Sequence, residues 1–167
     1  LEEWERLKNP EFKAAETSEA EAFGKDKLEE DITRDHKTFL GLVRARIFSL
    51  LGMVRAHRYG EALDLLAEDL PEGTALTDAA GAPWTEKRLA DTFAEYSKEH
   101  GEFRLDAEGR ALRYTVAEWT DSALRVQQLL QDNESFNDWE FSFDIPLAES
   151  RAADAPLLRL LNVGPVA

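Results

Sequence analysis

Acidic and aromatic side chains alternate in DNESFNDWEFSFDIPLAES, the stretch from Asp132 to Ser150. Five carboxylates in it could form an acid–base pair or a metal site: Asp132, Glu134, Asp138, Glu140 and Asp144. In an extended strand, however, successive side chains point to opposite faces. A strand beginning near Asp138 therefore turns its acids to water and Trp139, Phe141 and Phe143 to the core. We interpret the stretch as a hairpin turn carrying the first two acids, followed by a two-faced strand whose carboxylates stay solvated.

Histidine and cysteine positions give no recognisable metal or nucleophile motif. The three histidines, His36, His57 and His100, are far apart in sequence, and the chain has no cysteine. We expect His100 to interact favourably with the dipole at the C-terminus of a helix. The loop G-x-x-x-x-G-K-[ST], the dinucleotide motif G-x-G-x-x-G and the elbow G-x-S-x-G are also absent. The sequence therefore predicts no catalytic residues, no metal ligands, no cofactor and no enzymatic activity for this chain.

A basic stripe along one predicted helix is the strongest candidate for a contact surface. Between Arg34 and Arg58 the only acid is Asp35. At about 100° per residue, several cations and one aromatic fall within one arc beside the apolar face. These residues are Arg34, Lys37, Arg44, Phe48, Arg55 and Arg58. Such a stripe suits a phosphate backbone. Alternatively, it balances the acids of the next helix, which are Glu61, Asp64, Glu68 and Asp69.

The overall charge restricts the classes of partner. The chain carries 34 acidic and 20 basic residues, giving a formal net charge of -14. A surface this negative repels nucleic acids and anionic lipids, so any contact with a polyanion needs a local basic patch. No apolar run approaches the roughly 18 residues of a membrane helix, and the absence of cysteine excludes disulfides. We expect a cytoplasmic protein with no membrane contact.

Hydrophobic periodicity predicts an arm followed by one α+β domain. Residues 1–30 are interpreted as an N-terminal arm or linker, and residues 31–167 as the domain. Apolar residues at helical spacing predict a long helix that runs to about Arg58 and is ended by Gly60. A shorter helix then precedes Pro71. A third helix begins at Thr85, a plausible N-cap, and stops at Gly101.

Beyond Gly101 the apolar period falls to two, which predicts an antiparallel meander of four to five strands. A curved sheet wrapped around the long helix would give a nuclear-transport-factor-2-like (cystatin-like) cone. Tyr114, Trp119 and Gln128 would then point inward and could line a ligand pocket. A small enzyme or ligand-binding domain with that pocket is the alternative function. Self-association through the exposed sheet face is a further option, and the oligomeric state is left open.

Several segments together resemble the C-terminal region, a domain of unknown function, of bacterial DEAD/DEAH-box helicases of the Ski2-like kind. These segments are LEEWERLKNPEF, FLGLVRARIFSLL, WTEKRLADTFAEYSKEHG, LRVQQLLQDNESFNDWEFSFDIPLAES and PLLRLLNVG. The family ends with V-x-Q-x-L-x-D, a turn, D-W and a final apolar strand. The matching positions are Val126, Gln128, Leu130, Asp132, Asp138 and Trp139. The hairpin 133–137 lacks the expected Pro/Gly turn, and the loop 70–82 is longer than in the family.

This resemblance implies a parent protein that unwinds nucleic acid with ATP and Mg²⁺. It implies no catalysis in this piece, which carries no motor motif. We therefore expect a non-catalytic accessory domain that docks on the helicase core of the parent polypeptide. There it would help to position RNA or a protein partner, with the basic stripe as its contact surface.

Overall fold

A computed structural model of the protein describes residues 31–166, so the predicted arm, residues 1–30, lies outside the described residues. Three helices come first: α1 (His36–Arg55), α2 (Tyr59–Ala67) and α3 (Glu86–His100). Among residues 31–166, none of the helices combines the length and apolar composition needed to cross a bilayer.

Side-chain caps fix where the two longer helices begin. The Asp35 carboxylate accepts hydrogen bonds from the backbone N–H groups of Lys37 and Thr38 at the start of α1. The hydroxyl of Thr85 accepts from the N–H of Arg88 at the start of α3, so the predicted N-cap is confirmed. Each cap satisfies backbone donors that a helix leaves unpaired at its first turn.

The end predicted for the first helix is wrong. Helix α1 ends at Arg55, and Gly60 lies within α2 rather than terminating α1. The chain turns instead at His57, which adopts the left-handed conformation with φ of 63°. The His57 ring lies 3.0 Å from the Tyr59 hydroxyl. The turn between α1 and α2 therefore has a histidine in the left-handed conformation, where helix ends more often have a glycine.

Four strands follow and form one open antiparallel sheet in the order β1-β2-β3-β4. The elements are β1 (Thr115–Trp119), β2 (Ala123–Leu130), β3 (Trp139–Pro146), the short helix α4 (Leu147–Ala153) and β4 (Arg159–Pro165). The α+β class and the antiparallel meander are therefore confirmed. The sequence does not predict α4. Alternation from Leu112 to Ala117 predicts a strand, but its first three residues, Leu112–Tyr114, form a single 3₁₀ turn and β1 begins at Thr115. Leu112 is 63% exposed, so burial does not enforce alternation there.

The core lies between the helices and one face of the sheet. The inward residues of β3 are buried, as predicted from their alternation: Trp139, Phe141, Phe143 and Ile145. The Phe93 ring of α3 lies 5.5 Å from the Phe141 ring, centroid to centroid. Burying each such side chain contributes roughly 1.5–3 kcal/mol, so this layer fixes the position of the helices over the sheet.

The outer face of the sheet differs in part from the prediction. Glu140, expected to be solvated, is buried and accepts a hydrogen bond from the Ser142 hydroxyl. The Asp144 carboxylate lies 3.5 Å from the Arg125 guanidinium and 3.8 Å from that of Arg159, on the two flanking strands. Cross-strand pairing therefore offsets some of the acidic charge of β3, which single-strand periodicity cannot reveal.

Candidate functional site

The central cation of the predicted basic stripe is tied to the domain itself. The Arg44 Nε–H donates to the Thr115 hydroxyl at 3.0 Å, and an Nη2–H donates to the Arg110 carbonyl at 2.6 Å. Its guanidinium also lies 5.2 Å from the centre of the Phe48 ring. Burial lowers the pKa of Arg44 from its ordinary value. Arg44 therefore connects α1 to the start of β1, and its charge is partly removed from solvent.

This connection continues into the core through one of the residues predicted to line a pocket. The Thr115 hydroxyl donates to Gln128 Oε1 at 2.6 Å, and Gln128 Nε2 donates to the Leu129 carbonyl at 3.3 Å. The Gln128 side chain is fully buried. We call Arg44, Thr115 and Gln128 the Arg44 chain. It joins Arg44 of the basic stripe to Gln128, which was predicted to line a pocket, and the sequence did not predict this connection.

The C-terminal part of the stripe is also engaged within the domain. Arg55 Nε–H donates to the Phe103 carbonyl at 2.7 Å, and its guanidinium lies 3.4 Å from the Glu102 carboxylate. Arg58 lies 3.8 Å from Glu61, and both side chains are exposed. The Arg58–Glu61 pair is one of the pairings predicted with the next helix. Exposed pairs of this kind contribute about 0–1 kcal/mol to stability.

Arg46, which is not part of the basic stripe, forms ion pairs with two of the acids that were predicted to balance the stripe. The Arg46 guanidinium lies 2.8 Å from Glu68 and 2.9 Å from Asp69, both just after α2. By contrast, Arg34 and Lys37 lie at the start of α1 and are exposed. The stripe is thus divided into an engaged central and C-terminal part and an exposed N-terminal end.

The other two pocket candidates lie against neighbouring side chains. The Trp119 ring stacks on His36, with centroids 3.6 Å apart and planes 3° from parallel. The Tyr114 hydroxyl accepts a hydrogen bond from Gln131 Nε2 at 3.1 Å. With Gln128 buried in the core, the structure does not bring these three residues together around one space.

The described residues do form a cavity, but at the outside of the fold. It has a volume of about 630 Å³ and lies between the loop after α2 and the segment from α4 to β4. Its apolar lining includes Leu66, Leu70, Leu76, Trp84, Leu157 and Leu160. The Trp84 Nε1–H donates to the Leu160 carbonyl at 2.9 Å, which holds one wall against β4.

A second polar cluster joins the C-terminus of α3 to the β2–β3 hairpin. His100 Nε2 lies 3.0 Å from Asp138 Oδ1, and His100 Nδ1 lies 3.8 Å from Asp132 Oδ2. One ligand-type atom from each residue lies within 4.8 Å of the other two. We call His100, Asp132 and Asp138 the His100 cluster. His100 is at a helix C-terminus as expected, but its ring lies near three carboxylates as well as the helix dipole, because Glu99 Oε1 also approaches Nε2, at 3.6 Å.

Asp132 holds the hairpin loop in place. Its carboxylate accepts the backbone N–H groups of Glu134, Phe136 and Asn137 at 2.8, 3.1 and 3.0 Å. Burial alone would raise the pKa of Asp132, but these three donors and His100 outweigh it, and the pKa lies below its ordinary value. Asp132 is therefore a turn former, as predicted, and also a fixed anion facing His100.

Around this anion, several buried polar atoms lack hydrogen-bond partners. Among the described residues these include both ring nitrogens of His100, the Tyr96 hydroxyl and Asn137 Oδ1. The Tyr96 ring lies 5.1 Å from the His100 ring, centroid to centroid. Burial, followed by the charges of Asp132 and Asp138, raises the pKa of Tyr96 above its ordinary value. The cluster is therefore a partly buried, negatively charged site with unused hydrogen-bonding capacity.

Comparison with known proteins identifies a family. A family model described as "Domain of unknown function (DUF3516)" matches residues 1–163. The chain belongs to this family. No curated protein and no solved structure matches it. The predicted recognition as a domain of unknown function is thus confirmed, while the resemblance to helicase C-terminal regions stays a prediction.

Sequence reasoning missed the His100 cluster because its members belong to different elements. His100 ends α3, Asp132 follows β2 and Asp138 precedes β3. The available signals were a histidine directly before the stop glycine Gly101 and two aspartates bracketing a short loop. Neither signal indicates that the helix end packs on the hairpin, so the spacing alone could not assemble the site.

Proposed function

We propose that this DUF3516 domain is a non-catalytic accessory domain of a cytoplasmic, ATP-dependent superfamily-2 (DEAD/DEAH-box) helicase. It positions single-stranded RNA next to the motor and docks on the helicase core of the parent polypeptide through its N-terminal arm. ATP and Mg²⁺ act in the parent motor, and this chain uses no cofactor of its own. The resemblance described above motivates the helicase context.

The exposed cations at the start of α1 carry the RNA part of the proposal. The first turn of α1 contains no acidic residue, and Arg34 and Lys37 are exposed beside it. Cations at a helix N-terminus oppose the helix dipole, so the dipole does not account for them, although Arg34 lies near Asp31 and Lys37 near Asp35. A phosphate at this end would meet the two cations, while the Asp35 carboxylate already accepts the N–H groups of Lys37 and Thr38 at the helix N-terminus.

In this proposal, Arg44 and Arg55 attract the RNA through their positive electrostatic potential and do not contact its phosphates directly. Both use their Nε–H within the domain, to Thr115 and to the Phe103 carbonyl. Substituting them would disturb the fold as well as the charge, so a clean test uses Arg34 and Lys37.

The test compares binding of a fluorescent single-stranded RNA at low salt by wild type and by Arg34→Glu/Lys37→Glu. We expect the variant to lose most of its affinity and the log–log salt slope to decrease by about 1.4, because each phosphate contact contributes roughly 0.7 on single strands. The matched control is Lys87→Glu/Lys98→Glu, which makes the same charge change on the exposed face of α3. Equal binding by both variants, or negligible binding by all, would remove RNA and leave a protein–protein role.

The melting temperature of Arg34→Glu/Lys37→Glu shows whether a loss of RNA affinity comes from the changed charge or from unfolding. Lys37→Glu places an acid in the first turn of α1, a change that stabilises helices by about 0.3–1 kcal/mol. The melting temperature should therefore stay constant or rise while RNA binding falls. A lowered melting temperature would attribute the loss to unfolding.

A curved, nuclear-transport-factor-2-like cone is the finer form of the fold that we propose. The register between β3 and β4 shifts at Ser142/Phe143, and such bulges bend a strand. The alternative function, a small enzyme or ligand-binding domain with a pocket in the cone, has less support. Gln128 is fully buried and hydrogen-bonded, and Trp119 is stacked on His36. A ligand there would have to displace these contacts.

A further inference from the structure

The environment of His100 is unusual for a buried histidine. Its side chain is only 6% exposed, yet neither ring nitrogen has a hydrogen-bond partner. Each nitrogen of an imidazole is either a donor or an acceptor, so burial without partners is unfavourable. Buried polar groups of this kind in native structures call for an explanation, and a bound ion is one of the few available.

The contact between His100 and Asp138 has the geometry of two ligands rather than of a hydrogen-bonded pair. His100 Nε2 and Asp138 Oδ1 are 3.0 Å apart, but they are not aligned for a hydrogen bond. Zinc binds imidazole nitrogen at about 2.0–2.1 Å and carboxylate oxygen at about 2.0–2.2 Å. Two such ligands are roughly 3.0 Å apart at a right angle and roughly 3.4 Å apart in a tetrahedron.

Asp132 completes the ligand set as a preorganised anion. Three backbone N–H donors fix its carboxylate, two on Oδ1 and one on Oδ2. Hydrogen bonds of this kind orient metal-binding carboxylates and contribute to their affinity. Asp132 Oδ2 lies 3.8 Å from His100 Nδ1, whereas Asp138 Oδ1 lies 3.0 Å from Nε2. Because an imidazole binds one ion through one nitrogen only, an ion held by Nε2 and Asp138 would draw Asp132 in from the neighbouring edge of the ring. The donor atoms lie within 4.8 Å of one another, so a bound ion would draw them together by about an ångström from their present spacing.

We propose that His100, Asp132 and Asp138 bind one divalent transition-metal ion, with Zn²⁺ the best match. A neutral imidazole and two carboxylates would balance a charge of +2. The imidazole disfavours Mg²⁺ and Ca²⁺, which select oxygen ligands. The Asp138 side chain is 56% exposed, so a fourth position is open to water or to a ligand from a partner. The ion would tie the end of α3 to the β2–β3 hairpin, independently of any RNA contact.

The competing explanation is an ion pair in which a charged His100 bridges the two aspartates. Both explanations place opposite charges together, so proximity alone does not separate them. The metal site predicts that each chain binds one ion, whereas the ion pair predicts no stoichiometric metal binding.

The experiment titrates the chelator-treated full chain with ZnCl₂ and, separately, MnCl₂ by calorimetry. We expect one Zn²⁺ per chain and weaker Mn²⁺ binding. The variants His100→Gln and Asp138→Asn should each lower Zn²⁺ affinity by more than roughly 100-fold, beyond the effect typical of outer-shell partners. The matched control is His57→Gln, which removes an exposed histidine at the end of α1 and should bind like wild type.

A spectroscopic readout makes the result independent of protein stability. Co²⁺ in place of Zn²⁺ should give a ligand-field absorption band in wild type and in His57→Gln but not in the other two variants. Because Asp138 is exposed, Asp138→Asn keeps the test valid even where His100→Gln fails to fold. Absence of stoichiometric Zn²⁺ binding, or equal binding by wild type and Asp138→Asn, would overturn the proposal in favour of the ion pair.

Discussion

Two polar clusters, each with a fully buried member, lie at different places in this domain, and they differ in how completely their groups are paired. In the Arg44 chain, each link has a donor and an acceptor, from the Arg44 guanidinium through Thr115 to Gln128 and the Leu129 carbonyl. In the His100 cluster, Asp132 has three backbone donors, whereas both ring nitrogens of His100 have none.

This difference separates architecture from a candidate binding site. A fully paired buried network repays its own desolvation and needs no further ligand. A buried cluster with unpaired groups is destabilised until something else supplies the missing partner. The sequence pointed to the first cluster as a site, through Arg44 and Gln128. It raised Asp132 and Asp138 as possible metal ligands, assigned them to a turn and a solvated strand, and did not connect them with His100. The hydrogen-bond partners, which only the structure shows, make the His100 cluster the better candidate for a binding site and the Arg44 chain a part of the architecture.

The largest effect is expected at Asp132, the one paired member of the His100 cluster. Asp132→Ala removes the acceptor of three backbone N–H groups in the hairpin loop. We expect the free energy of unfolding to fall by about 3 kcal/mol, since unsatisfied buried donors cost roughly 1–3 kcal/mol each and water reaches some of them. Urea denaturation followed by circular dichroism measures it. A loss below about 1 kcal/mol would show that the loop does not depend on this carboxylate.

A smaller but clear loss is expected on breaking the Arg44 chain. Gln128→Leu keeps the volume but leaves the Thr115 hydroxyl without its buried acceptor. The free energy of unfolding should fall by about 2 kcal/mol.

A double-mutant cycle with Thr115→Val tests whether the chain acts as a unit. Coupling energies of about 0.5–3 kcal/mol are typical of residues in one network. Strictly additive effects in the same urea denaturation would contradict the description of Arg44, Thr115 and Gln128 as connected.

The smallest effect is expected at His100 in the absence of metal. His100→Leu removes two unpaired nitrogens, while Asp132 keeps its backbone donors and Asp138 stays solvated. In the presence of a chelator we expect stability to change by less than about 1 kcal/mol, because replacing an unpaired buried polar group by an apolar one is close to neutral.

This last substitution also decides between the two descriptions of the His100 cluster. If His100 were the charged partner of the two aspartates, its removal would leave the buried Asp132 carboxylate without its counterion, and the free energy of unfolding would fall by more than about 1 kcal/mol. A loss of that size in the presence of a chelator would show that His100 is paired with the aspartates, so both clusters would be paired and the His100 cluster would need no metal ion. Thermal and urea unfolding of His100→Leu, with Lys98→Leu at an exposed position of α3 as the control, provide the measurement.

Much of the fold was predictable because its signals are local. The N-cap at Thr85, the stop at Gly101 and the inward face of β3 were read from neighbouring residues and are confirmed. The helix α4 was missed because its seven residues are too few for a periodic pattern. Glu140 was placed in solvent because alternation identifies a face but not what covers it.

The sequence by itself determined the helices, the antiparallel meander and the amphipathic faces, since these depend on periodicity and caps within one segment. The tertiary structure alone decided which polar groups meet. Arg44 reaches Thr115, 71 residues along the chain, and His100 comes between Asp132 and Asp138 only because α3 packs on the hairpin. The physical reason is that pairing and burial depend on contacts between elements. A one-dimensional pattern does not encode those contacts.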